Sequence, residues 1–206
     1  MSEKSYRWLF WGLAILGVAS DQVSKYAVFH QLFAVTDHRV ALIPRMFTLN
    51  ASYDVDPAKA HYSEPWRKSL QSIDDEPPPY VNRGALFGWF HDQDWGNAFF
   101  AIVSVAAAGG IIFWSTRPSM AHHRLHCAAL GLILAGTLGN LYDRVVFFGV
   151  RDFLDFYVQD WHWPTFNIAD CCLVSGACLL LLQAFFSKVP AEQPAAMATT
   201  AEAKSA

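Results

Sequence analysis

The sequence predicts an all-α membrane protein with four transmembrane helices, a small extracytoplasmic β-like platform and a long outward loop. Three observations predict it. Hydrophobic residues make up 53% of the 206 positions, aromatic residues make up 15%, and the apolar residues gather in four stretches. Crossing a bilayer takes ~20 helical residues whose backbone groups are all satisfied within the helix. A net charge of -3 with no long basic run excludes nucleic-acid binding through a phosphate-neutralising patch.

The first stretch, about 8–33, is apolar from Trp8 through Leu13 and Val18 and is interrupted by Asp21 and Lys25. Lys4 and Arg7 precede it as in a cleavable leader, but no small-residue cleavage site follows, so it is read as a retained helix. The second and third, 97–115 and 125–141, contain no Asp, Glu, Lys or Arg. The fourth, 168–187, carries one acid, Asp170, in its first turn. Four spans put both termini on one side. Short segments there hold Lys4, Arg7, Arg117, Arg124, Lys188 and Lys204 against Glu3, Glu192 and Glu202, so the positive-inside rule places that side in the cytoplasm.

Two connectors then face outward. The first, about Ala34 to Gly96, is acidic in its middle and carries Pro77, Pro78 and Pro79; its core, about 51–80, is read as an insertion. In the second, 143–166, the near alternation of Val150-Arg151-Asp152-Phe153-Leu154-Asp155-Phe156 predicts strand-like structure on the membrane surface, with Tyr157, Trp161 and Trp163 at the interface. Residues 1–188 form a single integral membrane domain, and the Ala-, Pro- and Thr-rich stretch 189–206 is read as a disordered cytoplasmic tail.

Cys127, Cys171, Cys172 and Cys178 lie in or beside apolar segments without CxxC spacing and are read as small buried hydrophobes. His122, His123 and His126 fall in a short basic connector, read as a solvated loop rather than a metal site.

Ionisable residues at membrane depth are expensive and mark candidate sites. Asp21 and Lys25, four apart on one helix, can pair either as a structural ion pair or as a prop for an outward-facing site. Asp143 and Arg144 are adjacent, so a nearby cation would keep Asp143 ionised and suit it to support rather than proton transfer. Asn167 and Asp170 have the spacing of a helix capping arrangement, which is one reading of them. The other is chemical. The segments 143–155 and 167–170 return to the same membrane face, where their acids can meet. Two neighbouring carboxylates ionise unequally, so one keeps a proton while the other accepts one, the division of labour that activates water against an amide. The sequence has no HExxH, no glycine-rich phosphate loop and no serine with a base at recognisable spacing.

These residues resemble the type II signal peptidases, polytopic enzymes that cleave signal peptides from bacterial prolipoproteins. Asp21-Gln22-Val23-Ser24-Lys25 resembles the family's DQxxK, Asn82-Arg83-Gly84-Ala85-Leu86-Phe87 its NxGAxF, and Gly139-Asn140-Leu141-Tyr142-Asp143-Arg144 its GNxxDR. Val150-Arg151-Asp152-Phe153 and Phe166-Asn167-Ile168-Ala169-Asp170 resemble its VxDF and FNxAD. The resemblance implies a catalytic pair of Asp152 and Asp170. It implies supporting roles for Asp21, Lys25, Asn82, Gly84, Gly136, Asn140, Asp143, Arg144, Asn167 and Ala169. It implies an aspartic endopeptidase with no cofactor and no metal, monomeric, in the bacterial inner membrane with its site near the periplasmic face. Its partners would be membrane lipid and a prolipoprotein cut just before a diacylglyceryl cysteine. The sequence departs from the pattern at Ala135-Gly136-Thr137-Leu138, at Leu86 and Gly88, and by about thirty extra residues between Asn50 and Val81. Two alternatives stand beside this reading. One is a small transporter or proton relay using Asp21, Lys25, Asp143 and Asp170; the other is a scaffold whose insertion binds a partner.

Overall fold

The computed structural model describes residues 5–53, 79–84 and 95–186. Most of the expected insertion, the tail at 189–206, and Leu86 and Gly88 lie outside the described residues. The described chain forms α1 (Arg7–Phe33), β1 (Arg39–Ile43), β2 (Phe47–Asn50), α2 (Gly96–Ser115), α3 (Pro118–Ala121), α4 (Arg124–Val146), β3 (Leu154–Val158), β4 (Trp161–His162) and α5 (Ile168–Phe186). The four long helices fall on the four apolar stretches. By length and composition α2, α4 and α5 can each cross a membrane. The 27 residues of α1 include Asp21, Gln22 and Lys25, which lower its hydropathy, so composition alone marks three spans among the described residues.

Helix α4 is the hub, packed against α1, α2 and α5. Small residues permit the close approach that such a bundle needs. A Cβ on Gly17 would lie 2.5 Å from that of Ala135, one on Gly176 would lie 2.6 Å from the carbonyl oxygen of Ala129, and one on Gly136 would lie 2.6 Å from Leu173 and overlap the Ala169 carbonyl. Helix α4 also runs on past the expected end at Leu141 to Val146. Asp143 and Arg144 suggested a loop because they are charged, yet both are buried and paired inside the protein, so the helix continues through them.

Four antiparallel strands, in the order β1-β2-β3-β4, form a platform at one end of the bundle. Strand β3 takes up only the end of the segment 150–156 where alternation predicted strand-like structure, from Leu154, and runs on to Val158. Strands β1 and β2 fall in the segment read as outward loop. Leu49 pairs with Leu154 and Phe47 with Phe156, which places these apolar side chains on one sheet face, where Phe47, Leu49 and Leu154 pack with Phe29 and Leu32 at the end of α1. Strand β1 is an edge strand and is exposed throughout.

The cysteine reading is corrected for most positions. Cys127 is buried and donates to the Met120 carbonyl, but Cys171 and Cys178 are exposed and Cys172 is half-buried. Cys171 and Cys178 lie on the outer side of a helix whose apolar composition faces away from the protein as well as into it, while Cys172 sits beside Gly17 of α1. The histidine connector is in part helical: His123 precedes α4, and His126, inside α4, lies 2.7 Å from Gln183 Nε2.

Replacing Gly136 with alanine is expected to lower the unfolding temperature in detergent, because overpacking a tight contact typically costs about 1–3 kcal/mol. Gly109→Ala, whose Cβ meets nothing within 4 Å, should leave it unchanged. Equal melting temperatures for both variants in a thermal scan would remove the α4–α5 contact as the reason for glycine at 136.

Candidate active site

The site lies where the platform meets the bundle, and three local features assemble it. First, α4 ends at Val146, and Phe148, at φ 60°, turns the chain. Gly149 follows, where a Cβ would press on Val81 at 2.7 Å, and Val150 then pairs with Asn82 through two main-chain hydrogen bonds of 2.8 and 2.9 Å. Second, Leu154 pairs with Phe166, which brings the start of α5 beside residue 152. Third, α5 opens on a capping box: the Asp170 N–H donates to Asn167 Oδ1 and the Asn167 N–H donates to Asp170 Oδ2, both at 3.1 Å. The capping arrangement and the chemical reading of Asp170 are thus compatible. The same carboxylate closes the helix end and faces the site.

Asp152 accepts from two amides, Asn82 Nδ2 on Oδ2 at 3.1 Å and Asn167 Nδ2 on Oδ1 at 2.7 Å. Each amide has its own oxygen occupied by a main-chain N–H, Gly84 to Asn82 and Asp170 to Asn167, so each must present NH2 to Asp152. Asp170 Oδ1 accepts from Asn140 Nδ2 at 2.9 Å, and Asn140 Oδ1 accepts from Asn167 Nδ2 at 3.2 Å. A chain of amides therefore runs from one carboxylate to the other, and Asn167 touches both. Burial, then the Asp170 carboxylate, pushes the Asp152 carboxyl up to about 7, against the opposing pull of Asn82, Asn167 and Lys25. Asp152 still keeps a partly open face.

Beneath this pair is a layer of charges. Asp21, Lys25, Asp143 and Arg151 are each 0% exposed. Lys25 Nζ donates to Asp21 Oδ2 at 2.8 Å and to Asn140 Oδ1 at 3.3 Å, and lies 3.3 Å from Asp143 Oδ2. Asp21 Oδ1 accepts the Ala169 N–H at 2.9 Å, tying α1 to the first turn of α5. Gly139 is required here because a Cβ would lie 2.7 Å from Asp21 Oδ2. The Asp21–Lys25 pair therefore reaches the Asp152 and Asp170 site through Ala169 and Asn140, beyond being a simple ion pair.

The cation beside Asp143 is Arg151 together with Lys25. Sequence adjacency pointed to Arg144, but Arg144 turns elsewhere, donating to the Gly84 carbonyl at 3.3 Å and to Asn97 Oδ1 at 3.4 Å, with its guanidinium 4.9 Å from the Phe100 ring centroid. Of the expected supporting residues, Asp21, Lys25, Asn82, Gly84, Asn140, Asp143, Arg144, Asn167 and Ala169 join one connected network. Gly136 lies on the α4–α5 contact and acts through packing. Sequence reasoning missed Gln22, which donates to Asp21, Asp143 and the Gly139 carbonyl, and Arg151, which donates to Asp143 and to Gln22 Oε1. Both stood inside the quoted motifs. Asn97, which donates to the Arg144 carbonyl, left no signal of its own in an apolar helix. Among the described residues, no group of three His, Cys, Asp or Glu side chains is placed to hold a metal.

Comparison with known proteins bears on this arrangement. The family model for signal peptidase (SPase) II matches residues 78–186. Lipoprotein signal peptidases of Yersinia pestis (strain Pestoides F) and Yersinia pseudotuberculosis serotype O:3 (strain YPIII) are 43% identical over 109 residues, 52% of this chain. The chain spans 64% of the length of these relatives. Two solved bacterial membrane enzyme structures obtained by the in meso method share the fold. One has a TM-score of 0.66 and covers 94% of this chain and 99% of its own; the other has 0.60, with 91% and 100%, both at 23% identity. With residues 78–186, more than half of its length, matched by the family model, this chain belongs to the signal peptidase II family.

Proposed function

We propose that this protein is an aspartic endopeptidase that removes signal peptides from bacterial prolipoproteins, cutting just before a cysteine that carries diacylglycerol. The observation that carries the reading is Asn167, which bonds Asp152 through its side chain and Asp170 through both main chain and side chain, holding two carboxylates in one site. Family membership and the names of the relatives supply the substrate class.

The chemistry follows from unequal protonation. Asp152, pushed up to about 7, holds the proton; Asp170 is the base. Asp170 takes a proton from a water whose oxygen attacks the scissile carbonyl, while Asp152 gives its proton to the carbonyl oxygen. The tetrahedral diol then collapses: one of its hydroxyls returns a proton to Asp152, the carbon–nitrogen bond breaks, and the proton on Asp170 passes to the leaving nitrogen, which restores the starting state of both acids. Asn82, Asn140 and Asn167 keep both carboxylates in place through these steps.

In this reading α1 is the fourth span. At about 1.5 Å per residue its 27 residues reach across a bilayer, and its Asp21 and Lys25 are fully buried against α4 and α5 instead of facing lipid. The platform then faces outward, the termini lie in the cytoplasm, and the protein works as a monomer in the inner membrane. The transport reading needs charges spread along the bundle. Here they collect at the platform end, and α2 contains no Asp, Glu, Lys or Arg.

Two outcomes are expected. Asp152→Asn and Asp170→Asn, assayed on a diacylglyceryl-modified prolipoprotein, should fold yet lose cleavage by on the order of 10⁴-fold or more, as for groups that act as a unit. Full processing by either purified variant would overturn the assignment. The rate should also fall as pH rises through about 7, where Asp152 loses the proton it donates. Asn82→Ala removes a donor that favours the ionised form of Asp152, so its alkaline limb should move to higher pH. An alkaline limb identical to wild type in a pH–rate series would count against Asp152 as the acid.

A further inference from the structure

We propose that Arg151, at the position the VxDF motif leaves open, is a positioning residue for the reaction: it aims Asp152 and, by occupying Asp143, frees Lys25 to hold Asp21 and Asn140. The inference deepens the peptidase reading and rests on it.

Three features of the geometry point this way. Asp143 grips Arg151 at three points, accepting the main-chain N–H on Oδ2 at 2.9 Å, Nε on Oδ2 at 3.2 Å and Nη2 on Oδ1 at 2.9 Å. One carboxylate thus fixes both the backbone and the side chain of the residue immediately before Asp152. The next side chain along an extended segment points to the opposite side, so a fixed Arg151 sets the direction of Asp152. The guanidinium is further confined by the rings of Phe147 and Tyr26, whose centroids lie 3.8 and 4.4 Å away. It reaches α1 as well, where Gln22 Oε1 accepts Nη2 at 3.0 Å.

The second part concerns the sharing of cations. Asp21 and Asp143 are two buried anions, and Lys25 and Arg151 are the two buried cations that face them. Lys25 lies closer to Asp21, at 2.8 Å, than to Asp143, at 3.3 Å, because Arg151 already holds both oxygens of Asp143. With Arg151 absent, an unbalanced Asp143 would draw Lys25 away from Asn140, the amide that holds Asp170. Arg151 therefore acts on both members of the pair without touching either carboxylate.

The charged and polar groups that face Asp152 are Asp170, Lys25 and Arg144, together with Asn82 and Asn167. Arg151→Met leaves Asp143 as excess negative charge behind them, which favours protonated Asp152 and moves the alkaline limb of the pH–rate profile to higher pH. Asp143→Asn leaves excess positive charge and moves the limb to lower pH. The double variant Arg151→Met/Asp143→Asn should return it close to wild type.

The experiment measures cleavage of the diacylglyceryl-modified prolipoprotein by purified full-length wild type and these three variants across pH, with Asp152→Asn as the inactive control. Arg151→Met is expected to lose kcat by roughly tenfold to a hundredfold, the cost of slightly misplacing a reacting group, with KM little changed. Arg151→Lys, which keeps the charge but not the fork, should keep the wild-type limb with a reduced kcat. In parallel, the carboxyl stretch absent from Asp152→Asn is titrated by isotope-edited infrared spectroscopy, which needs no turnover. If folded wild type fails to cleave, the peptidase reading falls, while opposite infrared shifts in the two single variants would still sustain the positioning role. If wild type cleaves but Arg151→Met keeps its kcat and its limb, or loses only melting temperature with the limb unmoved, the inference is overturned.

Discussion

Two full negative charges and two full positive charges are enclosed where α1, α4 and the segment entering β3 meet, and that enclosure must stay neutral. Removing an ion from water is costly in a low-dielectric interior, and the cost is recovered only when every charge has a partner and its remaining hydrogen-bonding capacity is used. Asp21, Lys25 and Asp143 meet that condition through mutual bonds, with Gln22 and the main-chain N–H groups of Ala169 and Arg151 filling further acceptor positions, whereas Arg151 leaves its Nη1 without a hydrogen-bond partner while its guanidinium rests on the rings of Tyr26 and Phe147. One cation from α1 and one from the connector serve anions on α1 and α4, so no single element can move without exposing an unpaired charge. Neutrality therefore doubles as a rigid joint.

From that joint to Asp152 and Asp170, direction is passed by amides. Lys25 orients Asn140, whose NH2 then faces Asp170; a main-chain N–H orients Asn167, whose NH2 then faces Asp152. An amide with its oxygen occupied can only donate with its nitrogen, which makes it a one-way device. This matters because donors alone would favour ionised carboxylates on both sides. Burial and the neighbouring Asp170 carboxylate oppose the amides at Asp152 and outweigh them, which raises its carboxyl above the usual range. Placement and protonation are thus set by different forces: amides fix geometry, while burial and charge fix the proton.

The sequence made the long helices legible because their apolar stretches are long and carry few charges, Asp21 and Lys25 in the first and Asp170 in the fourth, and it made the acid-bearing segments legible because ionisable side chains are conspicuous there. What it hid has physical causes. The ladder β1–β2 was read as loop because all of Arg39, Val40, Ala41, Leu42 and Ile43 remain exposed, so no alternation of burial is imprinted on them. Arg144 was taken as the partner of Asp143 because they are neighbours in sequence, yet adjacent residues on a helix diverge by about 100° and cannot face one group together. The true partner, Arg151, lies eight positions on, past the turn at Phe148, and sequence spacing carries no information about that turn. The cysteines were judged by their apolar surroundings, which cannot distinguish a protein interior from the outer side of an apolar helix.

The segment between Asn50 and Val81 poses a separate physical question: how a site held by directed hydrogen bonds accommodates about thirty residues close to Asn82. The ends of the insertion answer it. Tyr53 pairs with Pro79, and the Tyr80 N–H donates to the Ser52 carbonyl at 2.8 Å, so the chain leaves and returns at one point. Tyr53 is itself tied to the end of α1 by a hydrogen bond from its hydroxyl to the Phe29 carbonyl and by ring contacts with Phe29, Phe33 and His38. Once such a neck is closed, lengthening the excursion costs only a slowly growing closure entropy, and none of that cost falls on the site. The register of Asn82 is set on the other side of the neck by its pairing with Val150, and Val150 belongs to the segment that carries Arg151 and Asp152. The closed neck fixes where the chain returns, and the pairing with Val150 couples Asn82 to the segment carrying Asp152, so the donor on Asp152 is held from both sides.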